Sequence, residues 1–268
     1  EDLTLKSRLA RYYDCKGLIY KFMKNLDDAI MMHEKALEIS KTIDDKHGLR
    51  KYLNNKALIY EERGSFEKAI DIYAKCLKIS KQMDEKRSIC VSYCNIGYIL
   101  EYQGILDQSL KYFKRAHTLA TNINYKAGIG GYSNNMAQIY IKKEQYTKAL
   151  PLLDNAIKIL NSLDAVDYII SFIAKVYCCI HLKNNQNVKK SILKIESLLK
   201  DNITYNDYRS LWQLSEIYKF QKNYKQSKIH LKTSQKLLYK RADKIKNLID
   251  KNNFLNTHDV QIILLNIK

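Results

Sequence analysis

The sequence predicts an all-α fold, an α-solenoid of about six antiparallel helix pairs followed by a C-terminal capping helix region. Two observations favour this fold. The 268 residues include one Pro and eight Gly, whereas a β-rich chain of this length needs many Gly and Pro turns. Three short motifs also return at a step of 40 residues, and self-similarity at a fixed period is typical of stacked repeats.

The first motif marks one helix of each pair and the other two mark its partner. GLIY at 17–20 returns as ALIY at 57–60, GYIL at 97–100 and AQIY at 137–140. LDDAI at 26–30 returns as FEKAI, LDQSL and YTKAL, and KALEI at 35–39 returns as KCLKI, RAHTL and NAIKI. All three motifs keep the same step, so they belong to one structural unit that is copied four times.

Small residues within the motifs predict closely packed helices. Ala29 and Ala36 are seven residues apart, about two helical turns, so they share one face of their helix. Such a face lets an antiparallel neighbour approach closely. The turn between the two helices contains Gly64 or Gly104, or Asn25 in the first repeat. These residue types tolerate the left-handed conformation that ends a helix.

This pattern resembles the tetratricopeptide repeat, and it covers residues 1–163 as four regular repeats. The usual period of that family is 34 residues. The step of 40 is similar to the kinesin-light-chain-like variety, in which both helices are longer. The resemblance implies a right-handed superhelix in which the first helix of each pair lines a concave groove, and a role in binding proteins or peptides.

The period slips after residue 163. AKVY at 174–177 and LSEIY at 214–218 still resemble the first motif, and second helices are expected to begin near Val188 and Tyr224. Residues 164–240 are therefore interpreted as two divergent repeats. Residues 241–268 are interpreted as capping helices, because the last repeat of an array otherwise leaves an apolar face in water. The alternative is a linker to a further domain.

Asparagines recur at the positions expected to face the groove. Asn55, Asn95 and Asn135 lie at the 40-residue step, and Gln213 takes the same position in the sixth repeat. The other candidate positions are the adjacent asparagines and two cations one turn earlier, namely Asn54, Asn134, Lys51 and Arg11. We predict that these eight residues form a peptide-binding groove.

An amide suits this role because it carries both a donor and an acceptor, which match the backbone of an extended peptide. The family resemblance implies the same role for Asn55, Asn95 and Asn135. A structural role is the alternative, in which the amides cap or bridge neighbouring helices or are only solvated. Three such hydrogen bonds, at about 1 kcal/mol each, give only modest affinity. We expect micromolar binding, about −8 kcal/mol, unless apolar anchors add to it.

Two finer functions follow from the resemblance. One is a sensory or interaction region of a bacterial regulatory protein. The other is a peptide-pheromone receptor of the Rap/NprR/PlcR type, which has a similar number of long repeats. The carboxylate clamp of chaperone-binding relatives is not expected, because Val91 and Gly131 stand where that clamp needs cations.

A basic region offers a different kind of partner. The formal net charge is +18, and residues 183–251 hold 17 Lys or Arg against 6 Asp or Glu. Five lysines fall on one predicted helix face: Lys225, Lys228, Lys232, Lys236 and Lys240. This lysine stripe predicts either a solvated face or a docking surface for an acidic partner. Nucleic acid is less favoured, because its readers use more Arg and aromatic residues.

The remaining patterns exclude other functions. The six histidines and six cysteines make no HExxH or CxxC pattern, so neither a metal site nor a cofactor is predicted. No catalytic motif is present, and we predict a non-enzymatic protein. Unpaired cysteines favour the cytoplasm. No apolar run reaches the length of about 20 residues that spans a membrane.

Overall fold

In the computed structural model the protein consists of helices joined by short turns. The structure describes residues 2–163, 165, 167–184, 188–200, 207–243, 245, 248–256 and 258–265. Within those residues the helices are α1 (Leu3–Phe22), α2 (Leu26–Thr42), α3 (Lys46–Glu62), α4 (Phe66–Gln82), α5 (Lys86–Tyr102), α6 (Leu106–Asn122), α7 (Lys126–Lys142), α8 (Tyr146–Asn161), α9 (Asp167–His181), α10 (Val188–Lys200), α11 (Tyr208–Phe220), α12 (Tyr224–Ala242), α13 (Leu248–Leu255) and α14 (His258–Leu265).

Consecutive helices pack as pairs, and the first motif explains why they pack so closely. The odd-numbered helices from α1 to α11 are called inner helices here, and their even-numbered partners are called outer helices. In repeats 1–4 a small residue of the inner helix is buried, and a large residue of the outer helix is fully buried at the same 40-residue step. The small residues are Gly17, Ala57, Gly97 and Ala137, and the large ones are His33, Tyr73, Phe113 and Leu153. A Cβ atom on Gly97 would lie only 2.7 Å from the Phe113 ring.

The turns inside the pairs adopt the left-handed conformation, with one correction to the sequence prediction. Gly64 and Gly104 have φ angles of 70° and 77°, as expected. In the first repeat the left-handed residue is Lys24 (φ 63°) and not Asn25. Asn25 has φ −88° and is the N-cap of α2, where its side chain accepts a hydrogen bond from the Asp28 backbone N–H. The prediction for Asn25 was wrong by one position, because Asn suits both roles.

The last turn of α12 and the residue Ile245 after it lie against the C-terminal ends of inner helices in repeats 2 and 3. The Arg241 guanidinium lies 3.9 Å from the centroid of the Tyr102 ring and 3.9 Å from Glu61 Oε1. Ile245 is 5% exposed and meets the Gly64 turn, where an added Cβ would be 2.3 Å from Ile245 Cγ2. These contacts join residues 139 to 181 positions apart and close the array onto itself.

Two short helices complete the C-terminal part. Both α13 and α14 contact α12, and Phe254, Val260 and Ile263 have no exposed side-chain area. These residues belong to one apolar core that also includes Ala57 of α3 and Ile99 of α5. Residues 244, 246–247, 257 and 266–268, part of the segment interpreted as a cap, lie outside the described residues. The segment thus covers α12 and also joins the core of the earlier repeats.

Candidate functional site

An open row runs across the inner helices one turn before the asparagines. Arg11 and Lys51 are exposed, and Val91 is 39% exposed. At the fourth position of the row, a Cβ atom added to Gly131 would have no heavy atom within 4 Å. This row and the asparagines beside it are called the inner surface below. A ligand can therefore approach the backbone of α7 directly at Gly131.

The asparagines of the inner surface form an amide ladder that ties each inner helix to the one before it. Asn55 Nδ2 donates to Asp14 Oδ1 at 2.8 Å, and Asn95 Nδ2 donates to Asn54 Oδ1 at 3.2 Å. The ladder continues through Asn135 Nδ2 to Cys94 Sγ at 3.5 Å and through Ser171 Oγ to Asn134 Oδ1 at 3.0 Å. Of the two roles that the sequence left open, the amide nitrogens of Asn55, Asn95 and Asn135 take the bridging one.

Some amide groups of the ladder can still contact a ligand, whereas others already have all their hydrogen-bond partners inside the protein. Asn135 is only 6% exposed, and its Oδ1 also accepts a hydrogen bond of 2.9 Å from the Tyr98 hydroxyl. Both ends of that amide are therefore used inside the protein. Asn55 and Asn95 are half-buried, and their ladder bonds use the amide nitrogen, so their carbonyl oxygens face no competing bond in the ladder. These two remain the better candidates for ligand contact.

A buried aspartate anchors the first step of the ladder. Asp14 has no exposed area. Lys51 Nζ lies 2.9 Å from its Oδ2 atom and His33 Nδ1 lies 3.1 Å from its Oδ1 atom. Burial alone would raise the pKa of Asp14, but hydrogen bonds from His33, Lys51 and Asn55 outweigh it and hold that pKa below its usual value. Lys51, predicted as a groove residue, is thus held in place by Asp14 while its side chain stays 56% exposed.

Sequence reasoning missed the Asp14–His33 pair, although a signal was present. His33 occupies the position that holds Tyr73, Phe113 and Leu153 in the next three repeats. A polar residue at a core position of a repeat indicates a buried partner, because an unpaired polar group there is costly. Asp14, one helix away, is that partner.

Repeat 6, which consists of α11 and α12, covers the C-terminal ends of the inner helices α5 and α7. Glu101 is 1% exposed and lies 3.0 Å from Arg209 Nη1 of α11 and 3.1 Å from Lys142 Nζ of α7. Gln213, a predicted groove residue, is 2% exposed and donates through Nε2 to Gln138 Oε1 at 3.2 Å. The structure therefore places Gln213 inside a contact between repeats 4 and 6, away from the open row.

The lysine stripe lies where the helix pattern predicted. Lys225, Lys228, Lys232, Lys236 and Lys240 are all exposed on α12. The face that they form is basic from one end of this outer helix to the other. The structure does not bring the stripe together with the amide ladder in any hydrogen bond or ion pair between described residues.

The cysteines and histidines do not assemble a metal site in the part of the chain that the structure describes. Cys90 and Cys94 are buried in the core, and burial raises the pKa of the Cys90 thiol to about 11. A buried, protonated thiol is a poor metal ligand. Among the same residues, no helix is long and apolar enough to cross a membrane.

Comparisons with known proteins agree with this architecture. Residues 8–82 and 91–122 match two family models, each described as a tetratricopeptide repeat. No curated protein matches the chain. The matched stretches contain most of α1–α4 and α5–α6, whose motifs carried the resemblance in the sequence. That the chain carries tetratricopeptide repeats is therefore confirmed.

Solved structures with the same fold include both groups that the sequence resembles. A putative kinesin light chain of Podosopora anserina with nearly identical TPR-like repeats has a TM-score of 0.59 at 14% identity, over 74% of this chain and 99% of that one. Apo RapI has a TM-score of 0.69 at 17% identity, over 91% and 86%. A Rap conjugation gene regulator of plasmid pLS20, in complex with the Phr* peptide, has a TM-score of 0.63 at 17% identity, over 97% and 75%. At these identities the likeness establishes the fold alone.

Proposed function

We propose that the inner surface of repeats 1–4 binds an extended peptide, either free or as a segment of a partner protein. The observation that carries the proposal is the open row ending at Gly131, beside the carbonyl oxygens of Asn55 and Asn95, which accept no hydrogen bond from the described residues. Peptide N–H groups can donate to Asn55 and Asn95, while Lys51 and Arg11 supply positive charge near one end. The structurally similar pLS20 regulator was solved in complex with a peptide, which supports the same kind of ligand for this protein.

The finer role that we propose is a sensory or interaction region of a bacterial regulatory protein. A peptide-pheromone receptor is the narrower version of that role, supported by the likeness to RapI and the pLS20 regulator. The function proposed is binding without catalysis, because the inner surface is built from amides, cations and apolar groups. Binding a peptide does not require any of these groups to form or break a covalent bond.

Replacing Gly131 allows a test in which the affinity for peptide should fall while the free energy of unfolding should rise. A random peptide display library is selected against the wild-type protein, and each enriched peptide is titrated by fluorescence anisotropy. Gly131→Leu projects a large side chain into open space, so we expect at least tenfold weaker peptide binding. The same change replaces a helix-interior Gly and should stabilise the protein by up to about 1 kcal/mol. Gly131→Ala is the matched control, expected to gain stability and keep binding.

A second variant addresses the asparagines. The double replacement of Asn55 and Asn95 by Ala should weaken the same peptides by about thirtyfold, since two hydrogen bonds of about 1 kcal/mol each are lost. Reversing the charge of Lys228 and Lys232 to Glu should leave peptide binding unchanged. If the peptides tolerate Gly131→Leu and the double Asn replacement but are lost on charge reversal, the inner surface is not their site.

The exposed lysine stripe supports a second candidate, docking of an acidic partner protein on α12. Five exposed lysines on one face attract polyanions. Binding of a polyglutamate probe should fall steeply as salt is raised and should be lost on reversing Lys228 and Lys232. Equal binding to the reversed variant would remove this candidate.

A further inference from the structure

A separate cavity of about 220 Å³ lies between α7, the start of α8, α9, α11 and α14. Its walls include Tyr146, Tyr177, His181 and Trp212, and its apolar floor includes Ile141 and Ile262. None of the residues of the open row lines it. The cavity lies where α11 and α14 approach α7 and α9, beside the hydrogen bond from Gln213 of α11 to Gln138 of α7.

The wall rings touch one another in a continuous series. The rings of Tyr146 and His181 are stacked with centroids 4.7 Å apart, those of His181 and Tyr177 are 4.3 Å apart, and those of Tyr177 and Trp212 are 5.4 Å apart. Aromatic pairs at such distances prefer offset-stacked and edge-to-face arrangements. A further ring entering the cavity finds both ring faces and ring edges to pack against.

Polar groups in the wall supply hydrogen bonds without a strong net charge. The charged lining residues are two cations and two carboxylates, Lys142, Arg209, Glu144 and Glu216. The balance of charge favours a neutral ligand.

The volume limits the size of the ligand. A dry cavity of about 150 Å³ accommodates benzene, so the volume here suits one six-membered ring with a small substituent. We propose that this cavity binds a single neutral aromatic ring, supplied either by an aromatic side chain of a peptide or by a free small molecule. The proposal does not depend on the inner surface, because the two sites share no residue.

Trp212 makes the cavity directly observable, because it is the only tryptophan of the chain. N-acetyl-phenylalanine amide is titrated while the Trp212 emission is recorded, with N-acetyl-leucine amide as the aliphatic control. We expect a saturable change for the aromatic probe at millimolar concentration or below, and at least tenfold weaker binding of the leucine probe. Equal binding of the two probes, or no saturable change with either, would overturn the proposal.

Variants separate this site from the inner surface. Ile262→Phe fills the cavity and should abolish the response, whereas Ile229→Phe, the same change at an exposed site on α12, should keep it. Tyr146→Leu, which removes one wall ring at a partly buried position, should weaken the probe at least threefold if Ile262→Phe fails to fold. Gly131→Leu should leave the response intact even though it blocks the open row. Unchanged binding to the Tyr146 and Ile262 variants contradicts the assignment.

The peptide selection distinguishes whether the aromatic ring belongs to a peptide side chain or to a free small molecule. Enrichment of Phe or Tyr at one position by the wild-type protein, lost with Ile262→Phe, identifies a peptide side chain as the ligand. Probe binding without such enrichment identifies a free small molecule. Both results retain the cavity as an aromatic site.

Discussion

The contact between Ile245 and the Gly64 turn gives the sharpest test of the closed array. Replacing Gly64 by Ala has two costs. Its φ of 70° is in the left-handed region, where a side chain costs about 1 kcal/mol. The added Cβ would also be 2.3 Å from Ile245 Cγ2, and overpacking of this kind costs about 1–3 kcal/mol. We therefore expect a total loss of about 2–4 kcal/mol in the free energy of unfolding.

Two further variants separate those costs. Gly104→Ala carries the same left-handed cost at φ 77° and should lose about 1 kcal/mol. Ile245→Ala alone should lose about 2–3 kcal/mol, because Ile245 is 5% exposed and its removal leaves a cavity. In the Ile245→Ala background the overpacking is relieved, so Gly64→Ala should then cost no more than Gly104→Ala. The coupling free energy of the cycle is expected to be about 1–3 kcal/mol.

The assay is equilibrium unfolding in urea, followed by far-UV circular dichroism and by Trp212 fluorescence. Repeat arrays can unfold in parts, so the free energies are compared only where the two transitions coincide. If Gly64→Ala is no more costly than Gly104→Ala in the wild-type background, and if the cycle shows no coupling, then Ile245 does not rest on repeat 2 in solution. The fold-back would then be refuted.

Two other predictions concern ionisable groups. The lowered pKa of Asp14 means that its contribution to stability is complete above the unfolded value of about 3.9 and is lost as pH falls through the lower folded pKa. Asp14→Asn should therefore lose about 2 kcal/mol at neutral pH and show a weaker acid dependence of the unfolding midpoint, whereas Asp71→Asn at an exposed site should show neither change. For the thiols, only Cys15 is exposed, and burial raises the pKa of Cys76 and Cys178 to about 12. Ellman's reagent should titrate one fast thiol in the native protein and six in denaturant, and a fast thiol that survives Cys15→Ser would contradict the burial pattern.

The repeating part of the fold could be predicted because its interactions are local and copied. Small residues such as Gly97 and Ala137 mark where a pair packs closely, and they recur at a constant step. Helix α12 begins at Tyr224, the residue that its divergent motif indicated, and residues 185–187 before Val188 lie outside the described part of the chain. The error at Asn25 arose because a residue that favours the left-handed conformation is also a good N-cap, and sequence alone did not separate the two.

The candidate site was less accessible to sequence reasoning. Periodicity places Asn55, Asn95 and Asn135 on equivalent faces, but it does not say which amide is buried. Asn135 is enclosed because Tyr98 reaches its carbonyl oxygen, whereas the equivalent positions in repeats 1 and 2 are Leu18 and Leu58. The repeat position therefore predicts towards which face a side chain points. The neighbouring residues that differ between repeats decide how exposed that side chain is.

The fold-back also changes where a ligand can lie on the inner helices. Repeat 6 covers Glu101 and Gln138 near the C-terminal ends of α5 and α7, so those ends are unavailable to a peptide. Val91 and Gly131 of the open row lie about two to three turns earlier on the same two helices, and the row stays open. Closure thus keeps the proposed peptide off the C-terminal ends of α5 and α7, while the aromatic cavity is lined by residues at the C-terminal end of α7. Weakening closure through Ile245→Ala should consequently loosen the cavity and leave the open row intact, which makes the two sites separable by a residue that lines neither.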